Sequence, residues 1–118
     1  MSGIIENRKN ERIVIDGNTT IFFKVEQDRF KVIDLSCTGV RIKTDSATQF
    51  SLTQILPLCE LEFEDGFVKP VTGQVIHFIA QPGDGAHFGI QLLNLDAAAT
   101  DMINSRLKKI KARMSKFV

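Results

Sequence analysis

The clearest constraint on the fold is a strict alternation of apolar and polar residues. Residues 59–64 read Cys-Glu-Leu-Glu-Phe-Glu, and shorter alternating runs occur at 21–25, 40–43 and 88–92. Side chains on a strand point to opposite faces in turn, so each run predicts a strand with one buried and one solvated face. Several such strands in one chain are typical of an antiparallel sheet or barrel. The pattern therefore predicts a mainly all-β protein.

Turn-forming residues separate these runs between Arg12 and Leu95, at 16–18, 37–39, 65–66 and 82–85. Glycine, asparagine and aspartate at these points favour reversals of the chain. Two segments are harder to interpret. Residues 46–56 fit a loop with one helical turn, and residues 68–80 fit a long strand covered on both faces, because apolar residues occupy both parities near its end.

The last segment, 97–117, is predicted to be a helix. Asp96 is placed to cap its first turn. Apolar residues then recur every three or four positions, which predicts an amphipathic helix packed on the barrel with its basic residues in solvent. The alternative is that the basic side contacts an acidic partner or another copy of the chain. The apolar positions are Ile103, Leu107, Ile110, Met114 and Phe117.

The length and charge of the chain limit the classes of function. A sequence of 118 residues supports one domain, and a net charge of +1 gives no general attraction for nucleic acid or membranes. Cys37 and Cys59 match no metal or disulfide pattern, which suits a reduced, cytoplasmic protein. No signal peptide or membrane-spanning run is apparent. Nine phenylalanines without tryptophan or tyrosine indicate rings that fill a core.

Two short motifs carry the functional information. Arg8 and Arg12 form an RxxxR motif on a polar arm (residues 1–12), and residues 34–39 read DxSxxG at the end of a strand. In this order and in a β context, the motifs resemble those of the PilZ family. That resemblance covers most of the chain and implies a six-stranded antiparallel β-barrel with a C-terminal helix. It further implies a receptor for cyclic di-GMP that regulates a protein partner in bacterial signalling.

The resemblance also implies which residues bind the ligand. An arginine fork bonds phosphate oxygens or the guanine O6/N7 edge, a carboxylate accepts guanine N–H groups, and glycine permits close approach. The implied ligand-binding residues are Arg8, Arg12, Asp34, Ser36 and Gly39. Secondary candidates are Asn7, Lys9 and Arg41. The residue before the first arginine influences ligand stoichiometry in the family. Whether one or two ligand molecules bind per chain therefore stays open.

No catalytic residue, metal site or cofactor is predicted. His77 and His87 lie in strand-like segments without a cluster of further ligands, so a structural role is expected for both. The GGDEF, EAL and HD-GYP signatures of cyclic di-GMP enzymes do not occur. Two other functions stay open, namely a ligand-independent interaction module and an oligonucleotide-binding barrel. The second usually needs exposed aromatic residues, so no nucleic-acid partner is expected. The oligomeric state, monomer or dimer, is undetermined.

The polar arm generates the first prediction. Its composition offers little apolar surface to bury, so we expect residues 1–12 to be mobile without ligand and to fold over cyclic di-GMP when it binds. Amide exchange measures this directly. The amides of residues 1–12 should exchange fast in the free protein and slowly with ligand. Equal protection in both states would contradict the prediction.

Overall fold

The computed structural model describes residues 12–15 and 19–115. Within these ranges the chain forms seven strands and one helix. The strands are β1 (Ile13–Val14), β2 (Phe22–Val25), β3 (Asp28–Leu35), β4 (Gly39–Thr44), β5 (Ile55–Phe63), β6 (Gly66–Ala80) and β7 (Ala86–Leu93). The helix is α1 (Ala97–Ser115). The predicted turn at 16–18 lies outside the described residues.

Six of the strands close into an antiparallel barrel. The pairing order is β3-β2-β5-β6-β7-β4, and β4 pairs back onto β3 to complete the ring. Strand β1 is an addition of two residues that pairs with the end of β3. The predicted six-stranded antiparallel barrel with a C-terminal helix is therefore confirmed. Closure leaves no free edge among the six strands, so each of their backbones has a neighbour on both sides.

The core of the barrel follows the alternation in the sequence. Phe23, Val32, Ile42 and Leu61 are fully buried on four different strands. Their strand neighbours point outward and are charged in most cases, which is the pattern of a barrel with a solvated outer surface. Burying such side chains is the main stabilising contribution to a domain of this size.

The ambiguous segment 46–56 is a loop followed by the start of β5. It is tied to the core by Phe50, whose ring contacts those of Phe30 and Phe88 edge-on at centroid distances of 5.5 and 5.4 Å. Such edge-on pairs are favourable beyond the burial of apolar area. The loop therefore closes one part of the barrel, and Phe50 holds it there.

The prediction that β6 is covered on both faces is wrong. Residues 76–80 are all exposed, including Ile76 and Ile79. One residue, Ile76, is extra at this point, because Val75 pairs with Ile90 and His77 pairs with Gly89. Such a bulge disturbs the alternation of side chains, and it explains why apolar residues here occupy both parities without being buried.

Helix α1 begins where the sequence predicts. The Asp96 carboxylate accepts a hydrogen bond from the backbone N–H of Ala99 at 2.7 Å, which satisfies one free donor of the first turn. Ile103, Leu107 and Ile110 are buried. The Met114 and Phe117 side chains lie outside the described part of the chain. In the same described part, no helix is long and apolar enough to cross a bilayer.

The core generates a stability prediction. Replacing Phe23, which has no exposed surface, with alanine should lower the free energy of unfolding by about 3–5 kcal/mol because a cavity remains. Phe67 is 50% exposed and provides the matched control. Phe67→Ala should cost less than about 1 kcal/mol, including its contact with Lys69. Urea unfolding measures both values, and equal losses would contradict the assigned core.

Candidate functional site

A β-bulge in β3 positions the central residue of the site. Val32 pairs with Ile42 and Asp34 pairs with Arg41, so Ile33 is an extra residue in β3. Without the bulge, Asp34 would share the inward parity of Val32. The extra residue reverses this parity, so that Leu35 is buried in the core and Asp34 lies beside Arg41 on the outer face.

The Asp34 carboxylate joins two arginines. Its Oδ1 accepts a hydrogen bond from Arg12 Nη1 at 2.6 Å, and its Oδ2 lies 3.2 Å from Arg41 Nε. The aspartate side chain is only 7% exposed, whereas those of Arg12 and Arg41 are 41% and 34% exposed. The carboxylate is therefore covered by the two guanidinium groups, and the outer edges of both groups face solvent.

Strand β1 brings Arg12 to this position. Ile13 pairs with Leu35, and the backbone N–H of Ile15 donates to the carbonyl of Ile33 at 2.8 Å. The side chains of Ile13 and Ile15 are buried, so they anchor the short strand in the core. Strand β1 pairs with the end of β3. Arg12, the residue just before β1, therefore lies beside the DxSxxG segment.

Gly39 packs against the backbone of β7 and lies beside Arg12. A Cβ atom at this position would lie 2.9 Å from the backbone oxygen of Ile90 and 3.6 Å from Arg12 Nη2. The first distance is too short for any side chain unless the backbone shifts. Glycine at the start of β4 thus permits the close pairing with β7, whereas the distance to Arg12 is an ordinary van der Waals contact.

Ser36 stabilises the turn between β3 and β4. The backbone N–H groups of Thr38 and Gly39 donate to its Oγ at 3.3 and 3.1 Å. Its own N–H donates to the carbonyl of Gly39 at 2.9 Å. The residue is 1% exposed. Since β3 ends at Leu35, Ser36 does not share the outer face with Asp34, and its hydroxyl is directed into the turn.

The predicted binding residues therefore divide into three groups. Arg12, Asp34, Gly39 and Arg41 lie together on the outer face. Ser36 lies beneath them in the turn. Asn7, Arg8 and Lys9 lie outside the described residues. Arg12, which the prediction of a mobile arm included, is bonded to Asp34, so the predicted mobility does not extend to this residue. Arg41 was predicted only as a secondary candidate, yet it forms an ion pair with the central carboxylate on the oxygen that Arg12 does not bond.

The same outer face continues onto β7 and β6. Arg41 pairs with Gly89, which pairs with His77. Gly89 lies between Arg41 and His77, and a Cβ atom at this position would lie only 3.0 Å from the Cβ of His77. No group of three histidine, cysteine or carboxylate side chains in the described ranges could hold a metal ion. The arrangement suits recognition of an anion with planar groups.

Lys43 and His87 were not predicted as site residues. They face each other one step further along β4 and β7. Burial lowers the pKa of His87 below its usual value, and the charges of Arg41 and Lys43 lower it further, while Asp34 opposes them. The polar parity of Lys43 was visible in the sequence, but its position opposite His87 depends on strand pairing.

The turn generates a prediction about Ser36. Ser36→Ala removes the acceptor of two backbone N–H groups, so the free energy of unfolding should fall by about 1–3 kcal/mol. Ser105, which is exposed on α1, provides the control, and Ser105→Ala should leave stability almost unchanged. Urea unfolding distinguishes the two. Unchanged stability in both variants would mean that the Ser36 hydroxyl does not hold the turn.

Comparison with solved structures identifies similar folds. The PilZ domain of YcgR from Escherichia coli with c-di-GMP superposes with a TM-score of 0.73 at 14% identity, covering 92% of this chain and 95% of that chain. The complex of MrkH with c-di-GMP from K. pneumonia gives 0.79 at 15% identity, covering 94% of this chain and 55% of that chain. A longer YcgR chain from E. coli in complex with c-di-GMP superposes with a TM-score of 0.74 at 14% identity, covering 92% of this chain and 48% of that chain.

The chain thus spans about half the length of MrkH and of the longer YcgR chain. The comparison with curated proteins gives no match. The family model described as "PilZ domain" matches residues 6–109, which include both sequence motifs and all strands of the barrel. The resemblance noted in the sequence is confirmed, and the chain belongs to the PilZ domain family.

Proposed function

We propose that this chain is a receptor domain for cyclic di-GMP, and that the ligand binds on the outer face of β3, β4 and β7. The observation that carries the proposal is the pair of half-exposed arginines held by one buried carboxylate. Similar folds in solved complexes with c-di-GMP, and membership of the PilZ family, support the choice of ligand.

The chemistry of the face matches that ligand. Each guanidinium group has five N–H donors, of which those on Arg12 Nη1 and Arg41 Nε are directed at Asp34. The remaining donors can bond phosphate oxygens or the acceptor edge of guanine in bidentate fashion. Asp34 acts as a positioning residue in this proposal, because it fixes both forks before the ligand arrives and so reduces the entropy lost on binding.

The arm adds Arg8, the other arginine of the RxxxR motif. In this proposal Arg8 bonds the ligand from the arm, and Asn7 and Lys9 are secondary contacts. Gly39 admits the ligand to the barrel surface, and Ser36 acts through the shape of the turn. Ligand stoichiometry depends on the arm and is part of what the binding experiment measures.

The consequence of binding is a signal to a partner. We propose that the domain works in the bacterial cytoplasm, without a cofactor and without catalysis, and that the liganded face and arm are read by a protein partner. Motility and biofilm formation are the processes that such a receptor would control. Ordering a segment around a ligand changes the adjacent surface, which is a common basis for switching.

Calorimetric titration tests the ligand. Cyclic di-GMP should bind with micromolar or tighter affinity, equivalent to about −8 kcal/mol or better, and the titration gives the stoichiometry. GTP and cyclic AMP at the same concentrations are the controls and should bind far more weakly. A flat titration with cyclic di-GMP at high micromolar concentration would reject the proposal and favour a ligand-independent interaction module.

Substitution of Arg12 tests the site. Arg12→Ala should weaken binding of cyclic di-GMP about ten- to a hundredfold, since charge-assisted hydrogen bonds are lost. Arg12→Lys should recover little, because lysine lacks the planar fork. Arg113 on α1 is also half-exposed and paired with a carboxylate, Glu64, so Arg113→Ala is a matched control and should retain full affinity. Equal affinity of Arg12→Ala and the native chain would place the ligand elsewhere.

A further inference from the structure

A second row of basic side chains lies beside the arginines on the outer face. Lys31 of β3 pairs with Lys43 of β4, which pairs with His87 of β7. The residues next to them along the strands, Val32, Ile42 and Phe88, are buried in the core. The three side chains of the row therefore point outward. Lys43 follows Arg41 by two residues, which places it about 7 Å further along β4.

Two carboxylates, Asp28 and Asp45, line the groove beside this row, but neither lies within ion-pair distance of its lysines. Neither Lys31 nor Lys43 forms an ion pair within the described residues. Asp34 is occupied by its two arginines. The lowered pKa of His87 is consistent with a local excess of positive charge, although burial is its larger cause. The face thus attracts anions beyond the two arginines.

The surface at Lys43 is also concave. A groove of about 500 Å³ extends from Lys43 towards Lys31, Arg29 and Phe22. A second groove of about 390 Å³ extends from Lys43 towards His87 and the turn before β7. Both volumes lie in the range of small-ligand sites. Lys43, Thr44 and Asp45 line both grooves, so Lys43 stands where they meet.

We propose that Lys43, flanked by Lys31 and His87, forms a second phosphate subsite for the nucleotide held at Arg12 and Arg41. This inference rests on the proposed function. A cyclic dinucleotide carries two phosphates, so the phosphate that lies farther from Arg12 and Arg41 can take a charged partner of its own. The second row supplies that partner on rigid strands of the barrel.

Binding of a phosphate at this row also affects the protonation of His87. The ionisable groups around it are Arg41 and Lys43 of β4, Asp34 of β3, His77 of β6 and, in the adjoining groove, Asp45. The two cations disfavour the protonated imidazole, whereas a bound phosphate favours it. The complex therefore takes up a proton, and affinity for the ligand increases as the pH falls from 8 to 6.

Charge removal at Lys43 tests the subsite. Lys43→Met keeps most of the side-chain length and should weaken binding of cyclic di-GMP about tenfold in calorimetry, as expected for one charge-assisted contact. The loss should shrink at high salt, where the charges are screened. Lys108, exposed on α1, provides the matched control, and Lys108→Met should bind like the native chain. Thermal melting should be unchanged in both, because both lysines are exposed.

The outcomes separate the two proposals. If the native chain binds and Lys43→Met binds equally well, the subsite is wrong and the receptor function stands. If the native chain does not bind cyclic di-GMP, both are wrong. A second measurement compares affinity at pH 6 and pH 8. The gain at pH 6 should be lost in His87→Gln and kept in His77→Gln, and an unchanged gain in His87→Gln would overturn the part assigned to His87.

Discussion

The ion pairs of Asp34 organise the whole outer face of this domain. A carboxylate that is almost entirely removed from solvent loses much of its hydration, and the loss is offset only if charged partners bond it closely. Arg12 and Arg41 provide two such partners, one for each oxygen. The three residues come from different parts of the chain, so their contact joins β1, β3 and β4 at one point.

This arrangement depends on details of strand pairing. The bulge at Ile33 turns Asp34 outward, Gly39 permits the close pairing of β4 with β7, and the Ser36 hydroxyl fixes the turn that starts β4. Each of these three features depends on one or two residues. Each helps to set the position of a side chain that takes part in the ion pairs of the site. The sequence motif is therefore mainly a description of a local backbone shape, with Arg12 and Arg41 providing the exposed polar groups.

The sequence predicted the barrel well because alternation reports burial directly. In the second half of β5 the alternate residues Cys59 and Leu61 are buried, so their pattern is visible without knowledge of the neighbouring strands. The helix could be predicted equally well, since the cap at Asp96 and the apolar stripe depend only on the local spacing of residues. Bulges could not be predicted from the sequence, because a residue is recognised as extra only when its strand is compared with the strand that it pairs with. That is why the exposed end of β6 was not predicted correctly from parity, and why the bulge that turns Asp34 outward was not predicted.

The same limit applies to the site. Arg12 and Asp34 were identified through motifs, but the contact of Arg41 and the row of Lys31, Lys43 and His87 exist only across strands. Residues that are 44 or more positions apart in the sequence, such as Lys43 and His87, carry no local pattern that links them. Closure of the barrel brings them together, and their shared charge becomes apparent only there.

The central claim is that cyclic di-GMP binds over Asp34 and its two arginines on the outer face. Chemical-shift mapping of backbone amides during a titration with the ligand tests it most directly. The largest chemical-shift changes should lie in residues 34–43 and 87–91, with little change in the β5–β6 turn at 64–65 or in α1. Changes concentrated at that turn and helix, or no changes at all, would contradict it.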